Sequence, residues 1–321
     1  MLATQSLACP GTPAPRPVSA GDLCSTMRTE APRPHRFDEV GLDRVLCHDA
    51  KRGLLEVQSG TPWSALADHG GAAFAPGTVG ASVAVNAAGP DGRPVVAHLR
   101  AFTLVTADGE LRRASRDSTP ELFRLAVGGF GVFGPFYSLT LDLASLSRAA
   151  AAAAAPVFLK LPGEMPAQGS CCAVELLVPP EATEAYLALA RAALGDRTCT
   201  LDRLEARHAL PEEETFLRWA RREYAALRLE YRYRPTLGAS VNAIQLCAQL
   251  IELALAAGGA VAPASLPLAS RAQAQACYPM LGAFLAEKRR YDPAERVWSA
   301  WYRGTRDLLR REPCAARWSR S

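Results

Sequence analysis

Hydrophobic and polar positions along this chain change their rhythm several times. Residues 1 to about 35 show no periodicity and are rich in Pro, Ser, Thr and Ala, so they read as a poorly ordered arm. Leu54-Leu55-Glu56-Val57-Gln58 is a short strand that stops at Ser59-Gly60. Thr61 as a cap and Pro62 at the first helical position then begin a helix. Phe74 to Arg93 is a loop dense in small residues. Leu99 to Thr106 is a strand by its β-branched and aromatic content. Asp108-Gly109 turns the chain back at an exposed hairpin tip, because Asp-Gly readily supplies positive φ. Leu111 to Ala114 is the return strand, and Pro120 to Ala126 a short helix. A glycine-rich turn, Gly128 to Gly134, leads into Phe136 to Leu143, which alternates with period two as a half-buried strand does.

The alanine run Ala149–Ala155 is a linker or a helix end, and a domain boundary falls near residue 148. Beyond it, a strand from Cys172 to Val178 leads to a helix from Pro180 to Leu194. Helices over Glu212–Ala220 and Val241–Ala257 flank a strand from Leu227 to Tyr233. The end is helical over Arg271–Cys277, Leu281–Arg289 and Ala300–Arg310. No internal repeat is visible.

Composition narrows the function classes. With 321 residues, 49% of them hydrophobic, the chain can bury a core for two packed units. The net charge of +4 rests on arginines spread along the chain, whereas a nucleic-acid binder concentrates them on one face. A nucleic-acid partner is therefore not expected. Nine cysteines show no metal spacing and no C-x-x-C pair, so they read as free thiols of a cytoplasmic protein. The N-terminus lacks the order of a signal peptide. The most apolar helix, Val241 to Ala257, carries Gln245, Gln249 and Glu252 and reads as too short and too polar to span a bilayer.

Candidate chemistry lies in two glycine-rich segments. Gly77, Gly80 and Gly89, with small residues between them, leave backbone N–H groups to cradle a phosphate or a ring edge. Gly128, Gly129, Gly131 and Gly134 permit close approach, or simply make a tight helix-to-strand connection. Tyr231-Arg232-Tyr233-Arg234 reads as a strand with a solvated face, or as a substrate floor on which Arg232 or Arg234 meets a phosphate. The histidines His35, His48, His69, His98 and His208 form no metal motif. His98 alone begins a strand next to the small-residue loop. Lys288-Arg289-Arg290 reads as a solvated basic helix end.

Taken together, VQSGTPWSALADHG, TVGASVAVNAAG, LVTADGELRRAS and PELFRLAVGGFGVFGPFYSLTLDL resemble the flavin-binding domain of the vanillyl-alcohol-oxidase, p-cresol-methylhydroxylase-type (PCMH-type) superfamily. CYPMLGAFLAEKRRYDPAERVWSAW resembles its closing segment, and the pattern is most similar to the decaprenylphosphoryl-ribose oxidase branch and to sugar- and alditol-oxidising relatives. The resemblance covers roughly residues 38 to 303, thinly between Ala149 and Gly238. It implies an α+β fold: an FAD-binding domain over 36–148, a cap domain with an antiparallel sheet over 149–270, and a helical segment over 271–321 that returns to the FAD domain. It places non-covalent FAD against Thr78, Val79, Gly80, Ala81 and Gly89, and against Gly131, Gly134 and Phe136.

Three departures qualify this reading. The stretch AGDLCSTMRTEAPRPHR is shorter than the roughly thirty residues of a βαβ lobe, so the diphosphate-wrapping N-terminal lobe is expected to be shortened and flavin binding weak or lost. Ala88-Gly89 stands where the family often has His-Gly, and Ala262 and Ser265 stand where the ribose-oxidase branch carries a tyrosine and a lysine. The resemblance thus implies an FAD-dependent oxidoreductase acting on a hydroxyl-bearing sugar, alditol or lipid-linked sugar. The alternative is a catalytically silent homologue serving as a binding or partner module. Catalytic residues are left unassigned.

Overall fold

The computed structural model describes residues 19–29, 41–69, 77–152, 157–159, 170–195 and 199–310. It begins with a helix, α1 (Ala20–Thr29), inside the segment expected to be a poorly ordered arm. Leu23 and Met27, four residues apart on α1, are both fully buried, packing with Leu42, Val105, Ala107 and Val297. This apolar pair is too short a pattern to stand out from the surrounding prolines, yet it suffices to dock one helical face.

Strands β1 (Val45–Asp49), β2 (Leu54–Gln58), β3 (Leu99–Val105), β4 (Leu111–Ser115) and β5 (Phe136–Asp142) form an antiparallel sheet in the order β1-β2-β5-β3-β4. The Trp63–His69 segment is a 3₁₀ turn rather than the α-helix expected there, its start pinned by a bridge from Pro62 to Thr78. Helices α2 (Val79–Ala84), α3 (Pro120–Ala126) and α4 (Leu143–Ala151) complete the first unit. The β3–β4 hairpin turns at Asp108-Gly109, but its glycine is covered and not exposed as expected. At φ +79, a Cβ on Gly109 would lie 2.5 Å from Arg28 Cγ and 2.9 Å from Cys24 O, so α1 lies on the turn.

A second antiparallel sheet follows: β6 (Val157–Leu159), β7 (Ser170–Val178), β8 (Cys199–Ala209), β9 (Tyr224–Tyr233) and β10 (Ala260–Val261), in the order β10-β7-β9-β8-β6. Helices α5 (Thr183–Gly195) and α6 (Leu237–Ala256) cover one face. Val174, Leu176, Leu227, Leu229 and Tyr231 are buried there, and Tyr231 Oη donates to the Ala243 carbonyl of α6 at 3.1 Å. By length and composition α6 would suffice to cross a membrane, contrary to the sequence expectation. In the fold it is a helix with one face on the sheet, burying Ala243, Leu246, Leu250 and Ala254.

Two expectations for this unit change. Strand β8 was not anticipated, because Arg203, Glu205 and Arg207 also suit a helix. The expected helix over Glu212–Ala220 is instead an irregular latch. The Glu212 carboxylate accepts the N–H groups of Glu214 and Thr215 at 2.8 and 2.9 Å. Arg116 pairs with Glu214, and Phe216 N–H donates to the Arg124 carbonyl at 2.8 Å. Its polar groups thus serve the first unit rather than a helical ladder.

Helices α7 (Arg271–Cys277), α8 (Leu281–Tyr291) and α9 (Ala300–Arg310) close the chain. Phe133 meets Phe284 and Tyr291 edge-on, and Arg296 donates to the carbonyls of Ala107 and Met27. Lys288 is not a solvated basic residue: it is fully buried and paired with Asp292, itself buried.

Candidate functional site

The uncovered face of the second sheet looks onto the first unit across a cavity of about 480 Å³, a size usual for small-molecule sites. Its floor comes from alternate residues of three strands: Glu175 of β7, Ala226, Arg228 and Glu230 of β9, and Arg203, Glu205 and Arg207 of β8. Period two puts them on one face, because their neighbours fill the core beneath α5 and α6. The opposite wall is Val85 to Ala88, just after α2, and Phe130. Trp219 and Ala262 to Ala264 close the side.

Two wall residues hold left-handed backbone without being glycine, Asn86 at φ 48 and Phe130 at φ 55. Asparagine tolerates this region well and phenylalanine poorly, and such strain concentrates at functional sites. Both are fixed by surrounding bonds. Phe130 N–H donates to the Ala84 carbonyl at 2.8 Å, and its ring stacks on Trp301 with centroids 4.1 Å apart and planes 7° apart. Asn86 Oδ1 accepts the Val96 N–H at 3.1 Å, and its carbonyl accepts from Trp219 Nε1 at 3.1 Å. Its Nδ2 is buried with no hydrogen-bond partner among the described residues.

Glu175 is the other distinctive group. Its carboxyl has no hydrogen bond or ion pair among the described residues. Burial pushes its pKa above the ordinary glutamate value, while Arg228 and then Arg207 pull it back. The rest of the floor is paired. Arg228 Nε donates to Glu230 at 2.8 Å, and Glu205 receives Arg207 and, at 3.6 Å, Arg203.

None of the eight residues assigned to the cofactor by resemblance lines the cavity. Thr78 Oγ1 caps α2 by accepting the Ala81 N–H at 3.2 Å, and Ala81 is exposed. Val79 and Gly80 are buried and donate to the carbonyls of Thr61 and Ser59 at 2.9 and 2.8 Å. Gly89 N–H donates to the Arg93 carbonyl at 2.7 Å. These donors, expected to be free for a phosphate, are spent within the chain. Gly134 serves packing: a Cβ there would lie 1.9 Å from the Val105 carbonyl oxygen. Phe136 is buried against Phe102, while Gly131, at φ +69, faces open space. The two loops do meet at the cavity, but through the residues between those marked: Val85–Ala88, including Ala88, and Phe130.

Arg232 pairs with Asp202 at 2.9 Å and Arg234 is exposed past the strand end; neither lines the cavity. Ala262 lines it, and Ser265 is buried behind β7. His98 lies elsewhere, fully buried, with Nδ1 2.7 Å from Ser145 Oγ and Nε2 3.6 Å from Asp91. Burial holds its pKa below the ordinary value, against the pull of Asp91. Sequence reasoning missed Glu175, Arg203, Glu205, Arg207, Arg228 and Glu230. Five of them are marked by period-two charge in β8 and β9, of which only β9 was read as a strand; Glu175 is a lone charge in β7, which was read as one.

No family model matches the chain, and no curated protein matches it. Solved structures do. A single-residue variant of Physcomitrella patens BBE-like 1 superposes with a TM-score of 0.62 at 11% identity, over 88% of this chain and 89% of that one. The wild-type protein gives 0.59 at 12% identity, over 80% and 79%. At such identities the likeness is one of fold. The fold class is the expected α+β arrangement, two units each built on an antiparallel sheet, and the BBE-like structures share that fold.

Proposed function

We propose that this chain is a flavin-dependent oxidoreductase that oxidises a hydroxyl-bearing carbon, with the cavity between its two sheets as the reaction centre. The observation that carries the reading is the cavity itself. A strained wall with an unpartnered buried amide faces a charged floor with one unpaired carboxyl. The likeness of fold to BBE-like proteins supports a flavin as the partner of that wall.

The residues fit the ring end of such a cofactor. The Asn86 amide offers a buried donor for a ring carbonyl, and Phe130 and Pro263 offer apolar contact. The cofactor would be FAD held without a covalent bond, and it would supply the acceptor of a hydride. Glu175 would accept the proton of the substrate hydroxyl. A carboxyl lifted above its usual range by burial is a better base near neutral pH than an exposed one. Arg228, directly across from Glu175 in the strand register, would steady the resulting charge pattern. Substrates of the sugar or alditol kind suit such a floor, which alternates donors and acceptors.

A second reading, a silent homologue that binds without turnover, is favoured by one observation: the N–H groups of Val79, Gly80 and Gly89 are spent. The two separate in one experiment. Flavin-loaded protein is mixed anaerobically with a panel of sugars, alditols and sugar acids, and bleaching of the flavin absorbance is followed. Oxidation requires bleaching by at least one compound, lost in Glu175→Gln while flavin binding is kept. Bound flavin that no compound bleaches speaks for the silent reading.

A further inference from the structure

Strand register makes the cavity floor a lattice of charge. Glu175 lies across from Arg228, and Arg228 across from Glu205. One row along, Glu230 lies across from Arg203. On the other side, Arg207 lies across from Ala226, whose small side chain leaves room between Arg207 and Arg228. Three guanidiniums therefore share two paired carboxylates, Glu205 and Glu230, while Glu175 stands apart from any ion pair. The residues of the other walls, Val85 to Ala88, Phe130, Trp219 and Ala262 to Ala264, bring no charge. Each guanidinium carries five N–H donors in a planar fork; through Nε, Arg207 spends one on Glu205 and Arg228 one on Glu230.

We propose that the cavity takes a small polyhydroxylated oxyanion, its carboxylate or phosphate held in the gap between Arg207 and Arg228 and a hydroxyl set against Glu175. Planar forks bind carboxylate and phosphate oxygens two at a time, and the low-polarity walls strengthen the attraction. The inference rests on the cavity being the reaction centre proposed above, and it names the substrate class of that centre.

The test uses matched probes on the full chain without flavin: gluconate, glucitol phosphate, neutral glucitol and cationic glucosamine, with sulfate as a charge-only control. Binding is read by calorimetry and by concentration-dependent rise in melting temperature. Gluconate or glucitol phosphate should bind at least about tenfold more tightly than glucitol or glucosamine, a difference of about 1.4 kcal/mol. Arg207→Gln and Arg228→Gln should each remove most of that preference, and added salt should weaken it. Which of the two anions binds more tightly identifies the group the gap prefers. Equal binding of glucitol, or anion binding unchanged in both arginine variants, would overturn the inference. Sulfate matching gluconate would show that the hydroxyls are not read and would overturn it too. Should Arg228→Gln fail to fold, Arg207→Gln decides alone. Flavin binding without anion preference would sink this inference and leave the proposed reaction standing; anion binding without flavin binding would do the reverse.

Discussion

Ser265 Oγ accepts a hydrogen bond from the backbone N–H of Glu175 at 2.9 Å. Ser265 is thus a strut behind the strand that carries the cavity's unpaired carboxyl, at the position where the resemblance has a lysine. It is buried, so Ser265→Lys should not restore a catalytic cation; it should destabilise the fold by forcing a charge among Leu266, Ala262 and β7. Ser265→Ala should cost about 1–3 kcal/mol by leaving a buried N–H unpaired. Chemical denaturation of both variants measures this. A Ser265→Lys variant as stable as wild type would show that the site can open.

Glu175 should leave a pH signature in stability. Its folded pKa is raised, so the folded state favours the protonated carboxyl. That contribution is present below the unfolded value and is lost as pH rises through the folded one. Glu175→Gln should therefore melt higher than wild type at neutral pH, and the gap should close towards acid pH. Melting curves across that range report it; a gap independent of pH would mean that burial does not raise the Glu175 pKa.

Gly109 joins φ +79 to close contact with α1. Gly109→Val should lower the melting temperature and also release α1, which limited proteolysis near Cys24 to Arg28 would detect. Lower stability with α1 still protected would indicate strain in the turn alone.

Strands β2 to β5 of the first sheet were legible in the sequence, through β-branched and aromatic content, the alternation of Phe136 to Leu143 and the Asp108-Gly109 turn, whereas the largely exposed β1 was not. Helix α1 was not, since two buried residues, Leu23 and Met27, anchor it within a proline-rich setting. The floor of the cavity was hidden for a different reason. Arg203, Glu205 and Arg207 look like a helical surface until β9 pairs with β8 and sets them in rows. The two loops marked by the resemblance both border the cavity, but through residues other than those it marked. Val79, Gly80, Gly134 and Phe136 keep the loop geometry, and that geometry in turn presents Asn86 and Phe130.

The most direct test of the cavity as a flavin site compares riboflavin, FMN and FAD by quenching of flavin fluorescence. Charge-assisted hydrogen bonds to phosphate are worth about 1.5–3 kcal/mol each, and each 1.4 kcal/mol is about tenfold in Kd. With the N–H groups of Val79, Gly80 and Gly89 spent, the ring end should carry the binding. The expected result is weak binding of all three within about tenfold of one another, and loss of binding in Asn86→Gly and Phe130→Gly, which keep the left-handed backbone and remove the side chains. Binding of none of the three, or FAD binding unchanged in both variants, would contradict the placement of a flavin in this cavity.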